Sequence, residues 1–275
     1  MTVKTILVHL ADDEEHLKRL EVALTLAEER KAHVTALFIT TPIGMPAEIT
    51  GRGASAAYLS EATAQARKTA EALEEEFDAR CERSNIEYSW ITTEGDHLDL
   101  LARHAHAADL VIASQPTYDS LEDRLRMRLP EELALHSGLP VLVLPRDENI
   151  ETIGKRILVA WKDTRETVRA VRDNMSLLIG ADKVFVLTVA PDAYDALSLH
   201  EVAKYLERHG VNVDTQNIAN YEESVGQTIL DVADSCDVDL IVIGAHGHSR
   251  LRELIMGSVT DHILKTTERP VVISH

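Results

Sequence analysis

The sequence predicts an α/β fold built from two tandem domains, each a five-stranded, mostly parallel, doubly wound sheet. Three observations support this class: short apolar runs alternate with helical patterns, the order of elements occurs twice, and the runs expected at the sheet centres are apolar throughout. Strands that alternate with helices indicate parallel sheets with right-handed crossovers. Strands covered by helices on both faces are expected to be apolar along their whole length.

An internal repeat supports the two-domain prediction. Two pairs of segments lie 130 residues apart, namely DLVIAS (109–114) with DLIVIG (239–244), and PVLVLP (140–145) with PVVIS (270–274). The segments near the two starts, KTILV (4–8) and KRILV (155–159), lie 151 residues apart.

The difference between the two offsets predicts an insertion of 21 residues in the first repeat. We assign it to residues 41–61, which are rich in Gly, Pro and Ala. The repeat period is far longer than that of solenoid proteins, so duplicated domains are the better interpretation. The predicted domains are residues 1–148 and 152–275, with a polar linker near Arg146–Gly154.

The first unit is expected to alternate strands and helices and to end on a strand. TILVHL is a short apolar run typical of a strand, and the segment after it places Leu17, Leu20, Leu24 and Ala27 on one helical face. The predicted elements are, in order, strand 5–10, helix 14–30, strand 33–39, helix 56–84, strand 86–92, helix 97–107, strand 109–114, helix 121–136 and strand 140–145.

The second unit repeats this order without the insertion. RILVAW and KVFVLTV are apolar runs typical of strands, and the segments between the runs have helical periodicity. After RILVAW, the predicted elements are helix 164–179, strand KVFVLTV, helix 193–209, strand VNVDTQNI, helix 224–235, strand DLIVIG, helix 257–267 and strand PVVIS.

Composition excludes several classes of function. Lys and Arg total 28 against 46 Asp and Glu, a formal charge of −18, which disfavours nucleic acid and anionic lipid as partners. No segment is long enough for membrane insertion, and the N-terminus does not resemble a signal peptide. Cys81 and Cys236 form no CxxC pair, which argues against a disulfide framework or a cysteine zinc site and predicts a cytoplasmic location.

The loop after the fourth strand of the second unit is the candidate ligand site, because ligands of such sheets bind outside the carboxyl ends of the strands. It has the spacing G-x2-G-x9-G-S, formed by Gly244, Gly247, Gly257 and Ser258. Glycines allow tight turns and close backbone approach, and Gly257–Ser258 opens the last helix, ahead of Val259. Free N–H groups and the helix dipole favour an anion such as phosphate there.

Two alternatives stay open at this loop. The glycines and Ser258 could be turn and cap residues with no ligand. His246 and His248 could donate hydrogen bonds to a phosphate or could simply line the surface. The chain has no GxxxxGK[ST] motif, so a P-loop is excluded.

The loop resembles the nucleotide-binding signature of the universal stress protein family, G-x2-G-x9-G-[ST]. The resemblance extends over GAHGHSRLRELIMGSVTDHIL and covers both repeats, so the chain resembles a tandem member of that family. It implies a Rossmann-like fold of the adenine nucleotide α-hydrolase type and, as in many members, binding of ATP.

The resemblance also implies further binding residues in the second unit. Ala160, Trp161, Lys162 and Asp163 match a turn that lies near the ribose and adenine in nucleotide-binding members. Lys162 stands where the family carries an acid. This departure argues against the family's ribose or Mg²⁺ contact at this position, and Lys162 could contact a phosphate instead. Val189 matches the position whose main chain meets the adenine edge.

The first unit has lost the signature. At the offset of 130, the four signature positions are occupied by Ser114, Thr117, Met127 and Arg128. Pro130 removes a backbone donor near the start of the following helix, and Asp12 and Asp13 in the first loop would repel phosphate. We therefore expect the first unit not to bind ATP in the family manner.

These observations predict a universal stress protein that binds ATP, or a related adenine nucleotide, with or without Mg²⁺, in its second domain and regulates a stress response. One alternative is a nucleotide-independent interaction or chaperone-like protein. The other is a weak ATP hydrolase or autophosphorylating protein, although no catalytic or metal-ligating residues stand out.

The two final strands are expected to pair, because an exposed apolar edge invites aggregation. This predicts an intramolecular pseudo-dimer, with a homodimer and an unidentified protein partner as further expectations.

Overall fold

The computed structural model describes residues 2–41, 55–115, 129–146, 150–189, 193–219, 224–245 and 258–275. The chain divides into two compact units. Residues 3–139 form the first unit, and residues 140–275 together with the first two residues form the second.

The first unit is a parallel sheet with helical crossovers. Its strand order is β3-β2-β1-β4, and each neighbouring pair with a described register is parallel. The elements are β1 (Thr5–Leu10), α1 (His16–Arg30), β2 (His33–Ile39), α2 (Ser55–Ser84), β3 (Tyr88–Thr93), α3 (His97–Ala105), β4 (Leu110–Ser114) and α4 (Leu129–Ser137).

The second unit has the strand order β5-β10-β9-β6-β7-β8. Its elements are β5 (Val141–Leu144), β6 (Arg156–Ala160), α5 (Arg165–Asp173), α6 (Met175–Gly180), β7 (Lys183–Val189), α7 (Ala193–Arg208), β8 (Val213–Ile218), α8 (Val225–Ser235), β9 (Leu240–Gly244), α9 (Ser258–Thr266) and β10 (Val271–Ser274).

The last strands of the two repeats, β5 and β10, lie side by side in the second unit. They pair antiparallel, with Val143 opposite Val271 and Val141 opposite Ile273. The other described pairs in this sheet are parallel. The edge that each of these apolar strands would otherwise expose is therefore covered by the other.

Burial follows the expected pattern of a doubly covered sheet. Every residue of β5, β9 and β10 is buried, whereas the peripheral strands β3 and β8 contain only exposed and partly buried residues. The predicted α/β fold class with parallel sheets is confirmed. None of the described helices combines the length and the apolar character needed to cross a membrane.

The helix predicted over residues 164–179 is interrupted at Asn174, which separates α5 from α6. Asn174 is buried, and its side-chain amide donates to the carbonyl oxygen of Ala170 at 2.9 Å. Its backbone angles, φ −97° and ψ 12°, depart from helical values. A side chain that bonds nearby backbone in this way competes with regular helix, which accounts for the break.

Candidate functional site

The carboxyl ends of β6, β7 and β9 meet at one edge of the second sheet. Ala160 at the end of β6 lies opposite Leu187 on β7 and Ile243 on β9. Val189 and Gly244 end their strands at the same edge. The structure thus brings together six of the predicted site residues, namely Ala160, Trp161, Lys162, Asp163, Val189 and Gly244.

The remaining predicted site residues belong to the glycine loop and to α9. Ser258 is the first residue of α9, and Val259 follows it, partly buried. Gly247, His248 and Gly257 lie outside the described residues. Their contribution to a binding site stays a prediction from the motif.

The turn after β6 is anchored through Trp161. Its backbone N–H donates to the carbonyl oxygen of Leu187 at 2.7 Å, and its indole Nε1–H donates to Ser198 Oγ on α7 at 3.0 Å. The Trp161 side chain is buried, whereas Lys162 and Asp163 are exposed. The turn therefore holds two charged side chains at the sheet edge on a fixed backbone.

The start of α5 completes this turn. The backbone N–H of Thr164 donates to the carbonyl oxygen of Lys162 at 2.7 Å. Thr164 is the N-cap of α5, and its side-chain oxygen accepts from the N–H of Thr167 at 3.4 Å. Ser, Thr, Asp and Asn favour this position because their oxygens accept hydrogen bonds from unpaired helical N–H groups.

Gly244 is a glycine because the backbone of α5 passes directly over it. A Cβ atom at this position would lie 2.6 Å from the backbone nitrogen of Thr167 and 2.7 Å from the carbonyl carbon of Glu166. The glycine motif predicts that Gly244 allows close approach of the backbone to a ligand. The structure adds a second reason, which is close packing of a strand end against a helix start.

A cavity of about 320 Å³ opens beside the anchored turn, between α5 and α7. Its walls combine aromatic and apolar side chains with charged ones at the rim, among them Trp161, Asp163, Val168, Arg172, Val202 and Tyr205. The residues contributed by α7, including Ser198 and Tyr205, were not predicted as part of the site. Their only signal in the sequence is that they share one face of a helix.

At the corresponding edge of the first unit, a buried arginine stands where the second unit has an alanine. Arg19 is 2% exposed, and its guanidinium donates three hydrogen bonds: Nε to the carbonyl oxygen of His9 at 2.5 Å, Nη1 to Ser114 Oγ at 2.8 Å, and Nη2 to Asp13 Oδ2 at 2.6 Å. Arg19 lies 151 residues before Ala170, a small residue on α5. The hydrogen bond from Arg19 therefore links α1 to Ser114, which occupies the position of Gly244.

The same edge carries two buried histidines. His9 Nε2 lies 2.9 Å from His97 Nδ1, and His97 Nε2 lies 2.7 Å from the carbonyl oxygen of Thr41. His9 takes the place that Ala160 has in the second unit, at the offset of 151. Polar side chains therefore occupy, in the first unit, the positions that stay small at the second edge.

Other residues named for the first unit have these positions. Asp12 is exposed, whereas Asp13 is ion-paired with Arg19, so its charge is compensated and its expected repulsion of phosphate is weaker than the sequence suggests. Pro130 is buried at the start of α4. Thr117, Met127 and Arg128 lie outside the described residues. In the part of the chain that the structure describes, no group of three or more His, Cys, Asp or Glu residues is arranged to hold a metal ion.

Comparison with known proteins identifies the family of both repeats. The model of the universal stress protein family matches residues 2–145 and again residues 154–275. Universal stress protein Slr1230 from Synechocystis is 28% identical over 137 residues, which are 48% of this chain and 46% of that protein. Universal stress protein MJ0577 from Methanocaldococcus jannaschii is 29% identical over 130 residues, 42% of this chain and 74% of that protein. The match thus spans less than half of the Synechocystis relative.

A solved structure of the same family matches this fold over nearly the whole chain. A universal stress protein from Archaeoglobus fulgidus has a TM-score of 0.77 at 16% identity, covering 98% of this chain and 95% of that chain. A universal stress protein solved in complex with cAMP covers 53% of this chain and 98% of its own, at 16% identity and a TM-score of 0.39. The two family matches cover nearly all of the sequence. The chain belongs to the universal stress protein family and carries two of the family's domains in tandem.

Proposed function

We propose that this tandem universal stress protein binds ATP, or a related adenine nucleotide, in its second domain and regulates a stress response through that occupancy. The observation that carries the proposal is the complete G-x2-G-x9-G-S spacing, which starts at Gly244 on the carboxyl edge of a parallel sheet. Ligands of such sheets bind at this edge, and the start of a helix after a glycine loop suits a phosphate.

The anchored turn after β6 supplies the second half of the proposed site. Lys162 is exposed there and offers a positive charge in a chain whose formal charge is −18. That charge suits a phosphate group better than a ribose hydroxyl. The main chain at Val189, on the same edge, is the proposed contact for the adenine.

Asp163 is the residue of this turn that fits a magnesium ion. Mg²⁺ in nucleotide sites is usually held by one or two carboxylates together with phosphate oxygens and water. Asp163 is an exposed carboxylate next to Lys162. When bound, Mg²⁺ would neutralise phosphate charge, and Asp163 would orient it from the protein side.

One nucleotide per chain is the proposed stoichiometry. In the first unit, Arg19 crosses the corresponding edge and bonds Ser114, which occupies the place of Gly244. The side chain of Arg19 is thus engaged by protein groups. The first unit also lacks the small residues that the second unit has at Ala160 and Gly244. We propose that the first domain does not take the nucleotide in the same way.

Equilibrium dialysis with labelled ATP, ADP, AMP and cAMP, each with and without Mg²⁺, tests the proposal. The expected result is saturation near one nucleotide per chain, with phosphate release from ATP no faster than the protein-free background. Absence of binding by all four would favour the nucleotide-independent interaction protein, since the first unit keeps its fold without the signature. Mg²⁺-dependent turnover well above background would favour the hydrolase.

A further inference from the structure

The edge of the first unit contains a buried hydrogen-bonded chain that the proposed nucleotide site does not use. His9 and His97 are 2% and 7% exposed, and their rings pack edge to face with centroids 5.1 Å apart. Through the 2.9 Å and 2.7 Å contacts described above, the chain runs from His9 at the end of β1 to His97 in the first turn of α3, and on to Thr41 just past β2. Three elements are therefore joined by two imidazole rings.

Only one arrangement of protons satisfies this chain when both rings are neutral. A carbonyl oxygen can only accept, so His97 Nε2 must carry the hydrogen that is donated to Thr41. His97 Nδ1 is then an acceptor, and His9 Nε2 must carry the hydrogen that it receives. Both rings are thus Nε2–H tautomers.

A first added proton fits this arrangement only at His9 Nδ1, because His9 Nε2 then still donates its hydrogen to His97 Nδ1. A proton added to His97 Nδ1 faces the hydrogen on His9 Nε2, and the contact survives only if His9 moves its own hydrogen to Nδ1. A second proton leaves both facing nitrogens as donors, so the hydrogen bond is lost and two positive charges repel each other. The chain therefore tolerates at most one added proton.

Charged groups around the pair act in both directions. Arg19 from α1, bonded to the carbonyl of His9, opposes protonation, while Asp13 in the β1–α1 loop and Asp96 at the start of α3 favour it. Two further titratable groups lie on neighbouring elements: His16, bonded to the carbonyl of Asp13, and Glu131, buried on α4, the helix packed against α3.

The balance of these effects favours the neutral pair. Burial, followed by the charges of His97 and Arg19, holds the pKa of His9 well below its ordinary value of 6.5. Burial also lowers the pKa of His97, although its hydrogen bond to Thr41 and the charge of Asp96 act against this.

Among the described residues of the second unit, the two positions that match His9 and His97 carry apolar side chains. Ala160 takes the place of His9 at the offset of 151. When the N-caps Asp96 and Ser224 are matched, Val225 takes the place of His97 as the first residue of its helix. The second unit thus provides an internal reference for any effect of acid.

We propose that the His9–His97–Thr41 chain is an acid-sensitive latch of the first domain, closed when the imidazoles are neutral and opened when both take up a proton from solvent. Opening frees the first turn of α3 together with Thr40 and Thr41 after β2, while the second domain does not respond to acid in this way. The inference does not depend on nucleotide binding.

The direction of the pH effect follows from linkage. A group whose pKa is lower in the folded than in the unfolded state binds fewer protons when folded, so acid favours the open or unfolded form. The latch is complete above about pH 6.5, the unperturbed histidine pKa, and weakens as the pH falls through the lowered values of the folded protein. Most carboxylates stay ionised down to about pH 5, so protonation of the histidines can be separated from protonation of carboxylates.

Hydrogen exchange measured by mass spectrometry at pH 7.5, 6.5 and 5.5 tests the latch, after correction for the intrinsic pH dependence of exchange. In the wild type, peptides covering the start of α3 and residues 39–41 are expected to lose protection by about tenfold or more at pH 5.5. This pH lies one unit below the unperturbed histidine pKa of about 6.5, and one unit corresponds to a factor of ten in the equilibrium. Peptides covering α8 should not change. The double variant His9→Ala/His97→Val, which installs the residues of the second unit, should lose this pH dependence.

His262→Gln is the matched control, because His262 is an imidazole of the second unit whose Nε2 lies 3.1 Å from Gln227 Oε1. It should keep the wild-type response. A wild type whose first-domain protection stays constant between pH 7.5 and 5.5, or a double variant that keeps the wild-type response, would overturn the proposal.

A measurement on the wild type alone covers the case in which the double variant does not fold. Proton–nitrogen correlation spectra of the imidazoles at pH 7.5 should show both His9 and His97 as Nε2–H tautomers, with neither ring protonated above pH 6.5. An Nδ1–H tautomer on either ring, or a charged ring at pH 7.5, contradicts the latch.

Discussion

At the scale of single residues, the two sheet edges differ in how their space is filled. Gly244 leaves room for the first turn of α5, whereas Ser114 at the equivalent position is bonded to Arg19. The glycine spacing could be predicted from the sequence because it is local. The reason for Gly244 could not be, because the backbone that requires it belongs to Glu166 and Thr167, far away in the chain.

The substitution Gly244→Ala should destabilise the protein, because the new methyl group would meet backbone atoms that cannot rotate away. Overpacking of this kind typically costs about 1–3 kcal/mol in free energy of unfolding. Urea unfolding measures it. Gly180→Ala, at an exposed helical position, is the matched control and should be neutral or slightly stabilising. An unchanged midpoint for Gly244→Ala would show that α5 has room to move.

The two thiols should differ strongly in reactivity. Burial, with a contribution from Asp78, raises the pKa of Cys81 to about 12, so its thiolate is scarce at neutral pH. Cys236 is partly exposed. Iodoacetamide at pH 8, followed by peptide mass spectrometry, is expected to label Cys236 in the native protein and Cys81 only after unfolding. Equal labelling rates of both cysteines in the native state would contradict the described burial.

At the scale of elements, the strands and most helices follow from periodicity, because apolar runs and helical faces are local patterns. The break between α5 and α6 was not predicted, since the helical pattern continues through it. Its cause is the buried side chain of Asn174, which bonds Ala170 and lies 3.4 Å from Ser274 Oγ, a contact 100 residues away in the chain. Such tertiary contacts are invisible to periodicity.

Arg19 joins three elements of the first unit, so Arg19→Ala should be strongly destabilising. The substitution leaves Asp13 without its ionic partner and the His9 carbonyl without its Arg19 donor. Arg19 is buried but the Asp13 side chain is 25% exposed, so we expect the loss of this pair and of the two other hydrogen bonds to cost about 3 kcal/mol. Arg67→Ala removes an ion pair with Glu94 in which both side chains are more than half exposed, and should cost less than about 1 kcal/mol. Chemical unfolding of both variants measures the difference, and equal losses would contradict the account of Arg19.

At the scale of the whole molecule, the repeat and the parallel α/β class could be read from the sequence, because two constant offsets and apolar strands encode them. The placement of β5 in the second compact unit could not, since it follows from antiparallel pairing with β10. The contrast between the two edges also depends on tertiary contacts, those of Arg19, His9 and His97. The predicted bounds of 1–148 and 152–275 stay a prediction about the domains.

The proposed function requires that one nucleotide binds per chain and that it binds in the second domain. Calorimetric titration of ATP with Mg²⁺ into the wild type, Gly257→Val and Met127→Val tests it most directly, because Met127 is the first-unit counterpart of Gly257 at the offset of 130. We expect a stoichiometry near one for the wild type and for Met127→Val, and no binding for Gly257→Val, because the added bulk would block the phosphate. Absence of heat with the wild type at several temperatures, a stoichiometry of two, or full binding by Gly257→Val would contradict it.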